Sequence, residues 1–186
     1  MTQNDSELIS QIHQGDDHAF EQLFNRYEAM LYRFTFYLSG SPELAEEIFQ
    51  ETWLRITRVI AKKKRIKNFK HFLLTIAKNI YRDEIRKRKI RNLVLSENAL
   101  ENKNELMTIR DAEKDYEHLA MDFRDTFEQA LQKLTLRQRQ VFILVHIEGF
   151  KIAQVSDMVG CAQGTVKATV HKAVQKLRHE FQDFYE

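Results

Sequence analysis

The chain has 186 residues, 43% of them hydrophobic and 30% charged, with a formal net charge of +2. That composition is globular rather than disordered, and no apolar run approaches the roughly 20 residues that cross a bilayer. One Pro, five Gly and one Cys leave little for hairpins and nothing for an internal disulfide, and long 3.6-residue periodicity predicts an all-α protein.

In chain order, Asp5 to Gln14 reads as a short first helix. Asp16 or Asp17 can cap a second helix to about Leu38, with Phe20, Leu23, Phe24, Tyr27, Leu31, Phe34 and Leu38 inward. Ser39-Gly40 breaks it. Ser41 caps a third helix with Pro42 at its first position, and Ala45, Ile48, Phe49, Thr52, Ile56 and Val59 face inward. A basic loop, residues 62–68, leads to Asn68, which can cap a fourth helix from Phe69 to about Lys89 with Phe69, Phe72, Leu73, Ile76 and Ile80 inside. Residues 93–121 are acidic and weakly periodic, the signature of a linker. Residues 122–186 form a second domain, with helices near 123–133, 136–147, 150–159 and 164–182. Thr135-Leu136-Arg137-Gln138 has the capping-box form. The expected organisation is therefore two helical domains, 1–92 and 122–186, joined by a polar linker.

Charge is partitioned along the chain. Residues 1–54 hold two basic and ten acidic side chains, residues 55–91 fifteen basic and two acidic, residues 92–128 four basic and ten acidic. A strongly cationic block between two anionic ones points to a local polyanion site. Within it Lys78, Arg82, Arg86 and Lys89 repeat at i, i+4, i+8 and i+11, one stripe on the fourth helix, with Asn79 beside it. Lys62, Lys63, Lys64, Arg65 and Lys67 extend the field through the loop. Phosphate contacts supply affinity and carry no sequence information, so base choice falls to Asn79, the loop and the second domain. The third helix has the opposite sign: Glu43, Glu47 and Glu51 repeat at i, i+4 and i+8, with Glu46 and Gln50 alongside. A solvated acidic face and a docking face for a basic partner both fit that spacing. Trp53 fits either an interface anchor or the core.

Residues 149–167 read as a helix, a Gly-marked turn and a second helix opening with Gly164-Thr165-Val166-Lys167. That is the layout of a helix-turn-helix, whose second helix presents its N-terminal residues to base edges in the major groove. Ile152, Val155 and Val159 make the buried stripe of its first helix, and Gly160 suits a left-handed helix end. On the second helix Val166, Val170, Ala173, Val174, Leu177 and Phe181 share one face, and Lys167, His171, Lys172 and Gln175 share another. An antiparallel helix pair with a solvated basic face is the alternative. Cys161, in the turn, reads as a buried or half-buried thiol.

Seven scattered His residues make no metal-ligand set, and there is no Gly-rich phosphate loop or nucleophile motif, so no enzyme, metal or cofactor is expected. A response-regulator output domain would fit the second domain, but the first lacks the alternating strands and helices of a receiver. The N-terminus has neither a basic start nor an apolar core, which predicts a cytoplasmic protein with no membrane insertion.

An acidic-then-basic helical domain, a polar linker and a helix-turn-helix domain, in that order, resemble a bacterial RNA polymerase sigma factor of the extracytoplasmic-function (ECF) group of the sigma-70 family. The likeness rests on residues 45–55 (AEEIFQETWLR), residues 69–79 (FKHFLLTIAKN), Asp83, Arg86 and Lys87, and then on Leu131, Leu134, Arg139, Val141, Gly149, residues 164–167, Ala173, Leu177 and Arg178. The resemblance implies promoter-specific initiation with core RNA polymerase. Glu47, Gln50 and Glu51 would bind the clamp helices of the largest subunit, and the polymerase flap is a further expected contact. Lys78, Asn79, Arg82 and Arg86 would hold the upstream edge of the minus-ten element. The loop with Lys63, Arg65 and Lys67 would capture a flipped base. Lys167, Ala168, His171 and Lys172 would face the minus-thirty-five element. An anti-sigma factor is a further expected partner. Against the family pattern, Phe72 stands for Trp, Lys63 for an aromatic, Thr135 for Pro, Glu47 for Asp, and Gln154-Val155-Ser156 for acidic-Ile-Ala.

Overall fold

The computed structural model describes residues 3–95 and 115–185. Among these every regular element is helical. They fall into two compact units, one on each side of residues 96–114. The first contains α1 (Asp5–Ile12), α2 (Asp17–Ser39), α3 (Pro42–Ala61) and α4 (Phe69–Leu95). The second contains α5 (Asp115–Lys133), α6 (Leu136–Phe142), α7 (Ile152–Val159) and α8 (Gln163–Tyr185), with a π-helical turn, Ile143–Ile147, after α6.

Short polar side chains start the helices of the first unit. Asn4 and Glu7 form a reciprocal capping box on α1. The Asp16 carboxylate accepts from the N–H groups of His18 and Ala19. Ser41 accepts from Leu44 N–H, with Pro42 at the position where its missing N–H costs nothing. The Asn68 amide oxygen accepts from His71 N–H at 2.9 Å. The core is Leu8, Leu23, Leu31, Phe34, Leu38, Ile48, Ile56, Leu73, Leu74 and Ala77, all without solvent exposure. Trp53 lies in this core, tilted against Phe24 at 4.8 Å between ring centroids and edge-on to Phe20 at 6.1 Å. Of the two fates open to it, the structure shows the packed one.

α4 departs from its expected inner face. Phe72 and Ile76 are only half-buried, whereas Leu74, Ala77 and Tyr81 are buried with Phe69, Leu73 and Ile80. The reason is that α4 packs on both α2 and α3, so its buried arc shifts and widens beyond a single apolar stripe. The helix also continues to Leu95, past the expected end near Lys89.

In the second unit α5 begins at Asp115 rather than near 123, so the last part of the expected linker is helical; the rest of it, residues 96–114, lies outside the described residues. Arg139 is buried and turns back onto the last turn of α5. Its Nε donates to the Leu131 carbonyl at 2.9 Å, and Nη2 to the carbonyls of Gln132 at 2.9 Å and Leu134 at 3.3 Å. A single guanidinium thus satisfies carbonyls that a helix end leaves without intrahelical donors. Thr135 and Gln138 form the expected capping box on α6, so Thr in place of Pro still opens the helix. The expected helix over 136–147 is α-helical only to Phe142. The widened turn after it closes with Glu148 N–H on the Ile143 carbonyl and Phe150 N–H on the Leu144 carbonyl, both at 2.9 Å. Gly149, at φ 74°, makes that reversal and buries Phe150.

Candidate nucleic-acid interface

The helix-turn-helix is α7, a turn and α8. On α7, Val155 and Met158 are buried and Ile152 and Val159 half-buried, so the stripe centres one residue from the expected one. Gly160 ends α7 in the left-handed conformation (φ 70°), its N–H on the Ser156 carbonyl at 2.9 Å. The Ser156 hydroxyl donates to the Cys161 carbonyl and pins the turn; the Cys161 thiol is half-buried. Val166, Ala173 and Leu177 hold α8 against its unit. That leaves Lys167, Ala168, His171, Lys172 and Gln175 exposed together on the first half of α8.

The basic stripe of α4 is only partly assembled. Arg82 and Arg86 are well exposed, at 65% and 76%, each near the Asp83 carboxylate (4.0 and 3.9 Å). Lys89 is exposed and Asn79 half-buried. Lys78, expected at the head of the exposed stripe, is instead 6% exposed. Helix geometry explains the correction. A step of four residues turns the side chain about 40° further than one full turn, so an i, i+4, i+8 series winds around the helix. Arg82 and Arg86 clear the surface; Lys78, at the start, lies at the rim of the arc that packs on α2 and α3. Burial holds its ammonium pKa below the ordinary range, and the Arg82 cation lowers it further.

The loop between α3 and α4 exposes Lys62, Lys63, Lys64, Arg65 and Lys67, while Ile66 is half-buried. Lys63 takes a left-handed backbone, φ 51°. Beside the loop lies a cavity of about 470 Å³, lined by Asn4, Asp5, Tyr27, Ile66, Lys67, Asn68 and Phe69 among others. Lys67 is on its wall; Lys63 and Arg65 are not. The Tyr27 hydroxyl donates to Asp5 at 2.6 Å, and Arg26 donates to the other oxygen of that carboxylate at 2.6 Å. Burial, then the bond to Asp5, pushes the Tyr27 phenol well above its usual range, so the ring stays neutral.

On α3, Glu47 and Gln50 are exposed and Glu51 half-buried. Each has a neighbour. Arg55 Nε donates to Glu51 at 2.7 Å, Gln50 donates to Glu46 at 2.7 Å, and Arg88 of α4 stands 3.5 Å from Glu47. Ser41 Oγ donates to Glu43 and holds that carboxyl below its ordinary pKa. Sequence reasoning missed Leu54. It is 51% exposed, one helical turn beyond Gln50 and Glu51, an apolar side chain at the end of the acidic face. Its i+4 relation to Gln50 was the available signal.

Two helical units, one with a cationic helix and the other with a helix-turn-helix, have the form of a DNA-binding transcription factor. The family profile for Sigma-70 region 2 matches residues 23–91, and that for Sigma-70 region 4 matches residues 124–177. The chain is 32% identical to the ECF RNA polymerase sigma factor SigL of Mycobacterium tuberculosis over 164 residues, 87% of this chain and 88% of that one. It is 25% identical to the ECF RNA polymerase sigma factor SigW of Bacillus subtilis over 179 residues, 94% and 95% of the two chains. Its fold matches that of the sigma factor RpoE in complex with the anti-sigma factor NepR from Bartonella quintana, with a TM-score of 0.73 and 26% identity over 88% of this chain and 96% of that one. The fold of CnrH, solved with the cytosolic domain of CnrY, matches at a TM-score of 0.67 and 18% identity over 96% and 97%. The chain belongs to the ECF group of sigma-70 family sigma factors, and its function is promoter-specific initiation of transcription.

Proposed function

We propose that the first unit docks on the clamp helices of core RNA polymerase through Glu47, Gln50 and Glu51 and grips the minus-ten region through Arg82, Arg86 and Asn79, while α8 reads the minus-thirty-five element. Domains of 1–92 and 122–186 carry these two tasks. The observation that carries the reading is the exposure of Arg82 and Arg86 one turn apart on α4, in the same unit as an exposed acidic helix. Each phosphate neutralised by such a cation releases counterions and adds roughly 0.9 to the salt slope of binding. Lys78, buried and repelled by the Arg82 cation, contributes less to the DNA contact than Arg82 and Arg86. On α8, Lys167 and His171 offer hydrogen bonds to base edges, Ala168 a methyl-sized apolar contact, and Lys172 a phosphate contact.

Lys63, Arg65 and Lys67 cover the melted strand. A base leaving the stack costs a few kcal/mol, which a receptacle must offset. The cavity beside Lys67 has room for one base and has the neutral Tyr27 phenol on its wall. The protein acts in the cytoplasm as a non-enzymatic subunit, with the polymerase flap as the support for the second domain. An anti-sigma factor is a further partner, a reading supported by the complex of the similar RpoE with the anti-sigma factor NepR. Among the described residues no helix is long and apolar enough to cross a membrane. Run-off transcription with purified core polymerase tests the reading. The chain should make core start at a promoter, and Glu47→Gln combined with Gln50→Ala should abolish the stable assembly. Promoter binding by the chain with no initiation by core would instead identify a stand-alone regulator.

A further inference from the structure

The ion pair between Glu47 and Arg88 joins two surfaces that the proposed function keeps apart. Three other ion pairs of α4 are local: Arg82 and Arg86 face Asp83, and Lys87 faces Glu84. Arg88 instead reaches across to α3, where its Nη2 lies 3.5 Å from a Glu47 oxygen. It stands about 120° around the helix from Arg82, at 100° per residue, which turns it off the cationic stripe and toward the acidic face. Both partners keep water contact, with 40% of Arg88 and 63% of Glu47 exposed, so a competing cation can reach Glu47 without unfolding anything. Glu51 is also paired, but with Arg55 one turn along the same helix; exchanging that partner would link nothing else.

We propose that Arg88 is an internal placeholder for the partner's cation. It neutralises Glu47 in the free chain. Docking replaces it with a basic side chain of the polymerase, and the displaced guanidinium rejoins the positive end of α4 beside Lys87, Lys89 and Arg91. The inference rests on the reading of Glu47 as a docking residue and adds two things: the chemistry required opposite Glu47, and a coupling between docking and the DNA-binding helix. Coupling of this kind is reciprocal, so a polyanion that holds the freed Arg88 favours docking by the same factor that docking favours the polyanion.

Exposed ion pairs are weak, so the expected coupling is about two- to five-fold. The test is the affinity of the full chain for core RNA polymerase at low salt, with Arg88→Ala, Arg88→Gln, Glu47→Gln and the double variants. Arg88→Ala and Arg88→Gln should each tighten core binding about two- to five-fold, and neither should have any effect in the Glu47→Gln background. Arg88→Lys should stay at the wild-type value. Weaker or unchanged core binding in both neutral Arg88 variants overturns the proposal, as does equal tightening with and without Glu47. If Glu47→Gln alone leaves core binding unchanged, the docking-face reading fails with it; if Glu47→Gln weakens binding and the Arg88 variants do nothing, only the placeholder fails.

Discussion

α4 and α8 are the two helices proposed to face DNA, and both carry basic side chains on one side, yet they present them differently. On α8 the buried side chains among the described residues, Val166, Ala173 and Leu177, cover only about 40° of the helix circumference at 100° per residue, and Lys167, His171 and Lys172 are all exposed. On α4 the buried side chains run from Phe69 and Leu73 around to Lys78, about 180°. The difference comes from neighbours. α4 lies against both α2 and α3, so half its surface is core. The lesson is that a charged stripe in a sequence becomes a charged surface only where the buried arc is narrow. Where the arc is wide, the same spacing drives one end of the stripe into the protein.

The largest effect should come from the exposed end of the α4 stripe. Arg82→Ala with Arg86→Ala should lower the slope of log affinity against log salt for promoter binding by the holoenzyme by about 2, one phosphate contact for each guanidinium. The variant should melt at the wild-type temperature, because neither side chain contributes to the core. A slope equal to wild type would show that the exposed half of α4 does not meet the backbone, and the contrast with α8 would lose its functional meaning.

A smaller and more selective loss is expected on α8. Lys167→Ala with Lys172→Ala should weaken initiation roughly ten-fold on promoters that carry a minus-thirty-five element, the cost of one base-edge contact and one phosphate contact. Promoters from which that element has been replaced should respond little to the same variant. An equal loss on both classes would place these lysines in general electrostatics rather than in recognition.

The sequence carried most of this architecture because its signals are local. Asp16, Ser41-Pro42, Asn68 and Thr135 each start a helix where expected, and Gly160 ends one, since caps and left-handed ends are decided within a few residues. The exposed α8 residues were legible for the same reason: one narrow apolar stripe fixes what lies opposite. What was not legible depends on tertiary partners. The burial of Lys78 follows from two helices packing on α4, the Glu47–Arg88 pair joins residues of different helices, and the cavity beside Lys67 borrows Asn4, Asp5 and Tyr27 from distant parts of the chain. The early start of α5 escaped because residues 115–122 are acidic and their apolar positions irregular.

Lys78 itself gives the smallest effect and the finest discrimination. Its ammonium pKa is lowered in the folded chain, first by burial and then by the Arg82 cation, while the unfolded chain keeps the ordinary lysine value of about 10.4. Between the folded and the unfolded pKa the unfolded state therefore binds more protons, and stability rises with pH across that window. Below both values the pH dependence from this residue disappears, and its penalty on the folded state is fully present. Chemical denaturation of the first unit across the alkaline range should show that rise, and Lys78→Met should flatten it while leaving the salt slope of promoter binding close to wild type. If Lys78→Met instead lowered the salt slope as much as Arg82→Ala, the ammonium would be reaching a phosphate in the complex. The wide arc of α4 would then have to open on binding, and the contrast between the two helices would hold only for the free protein.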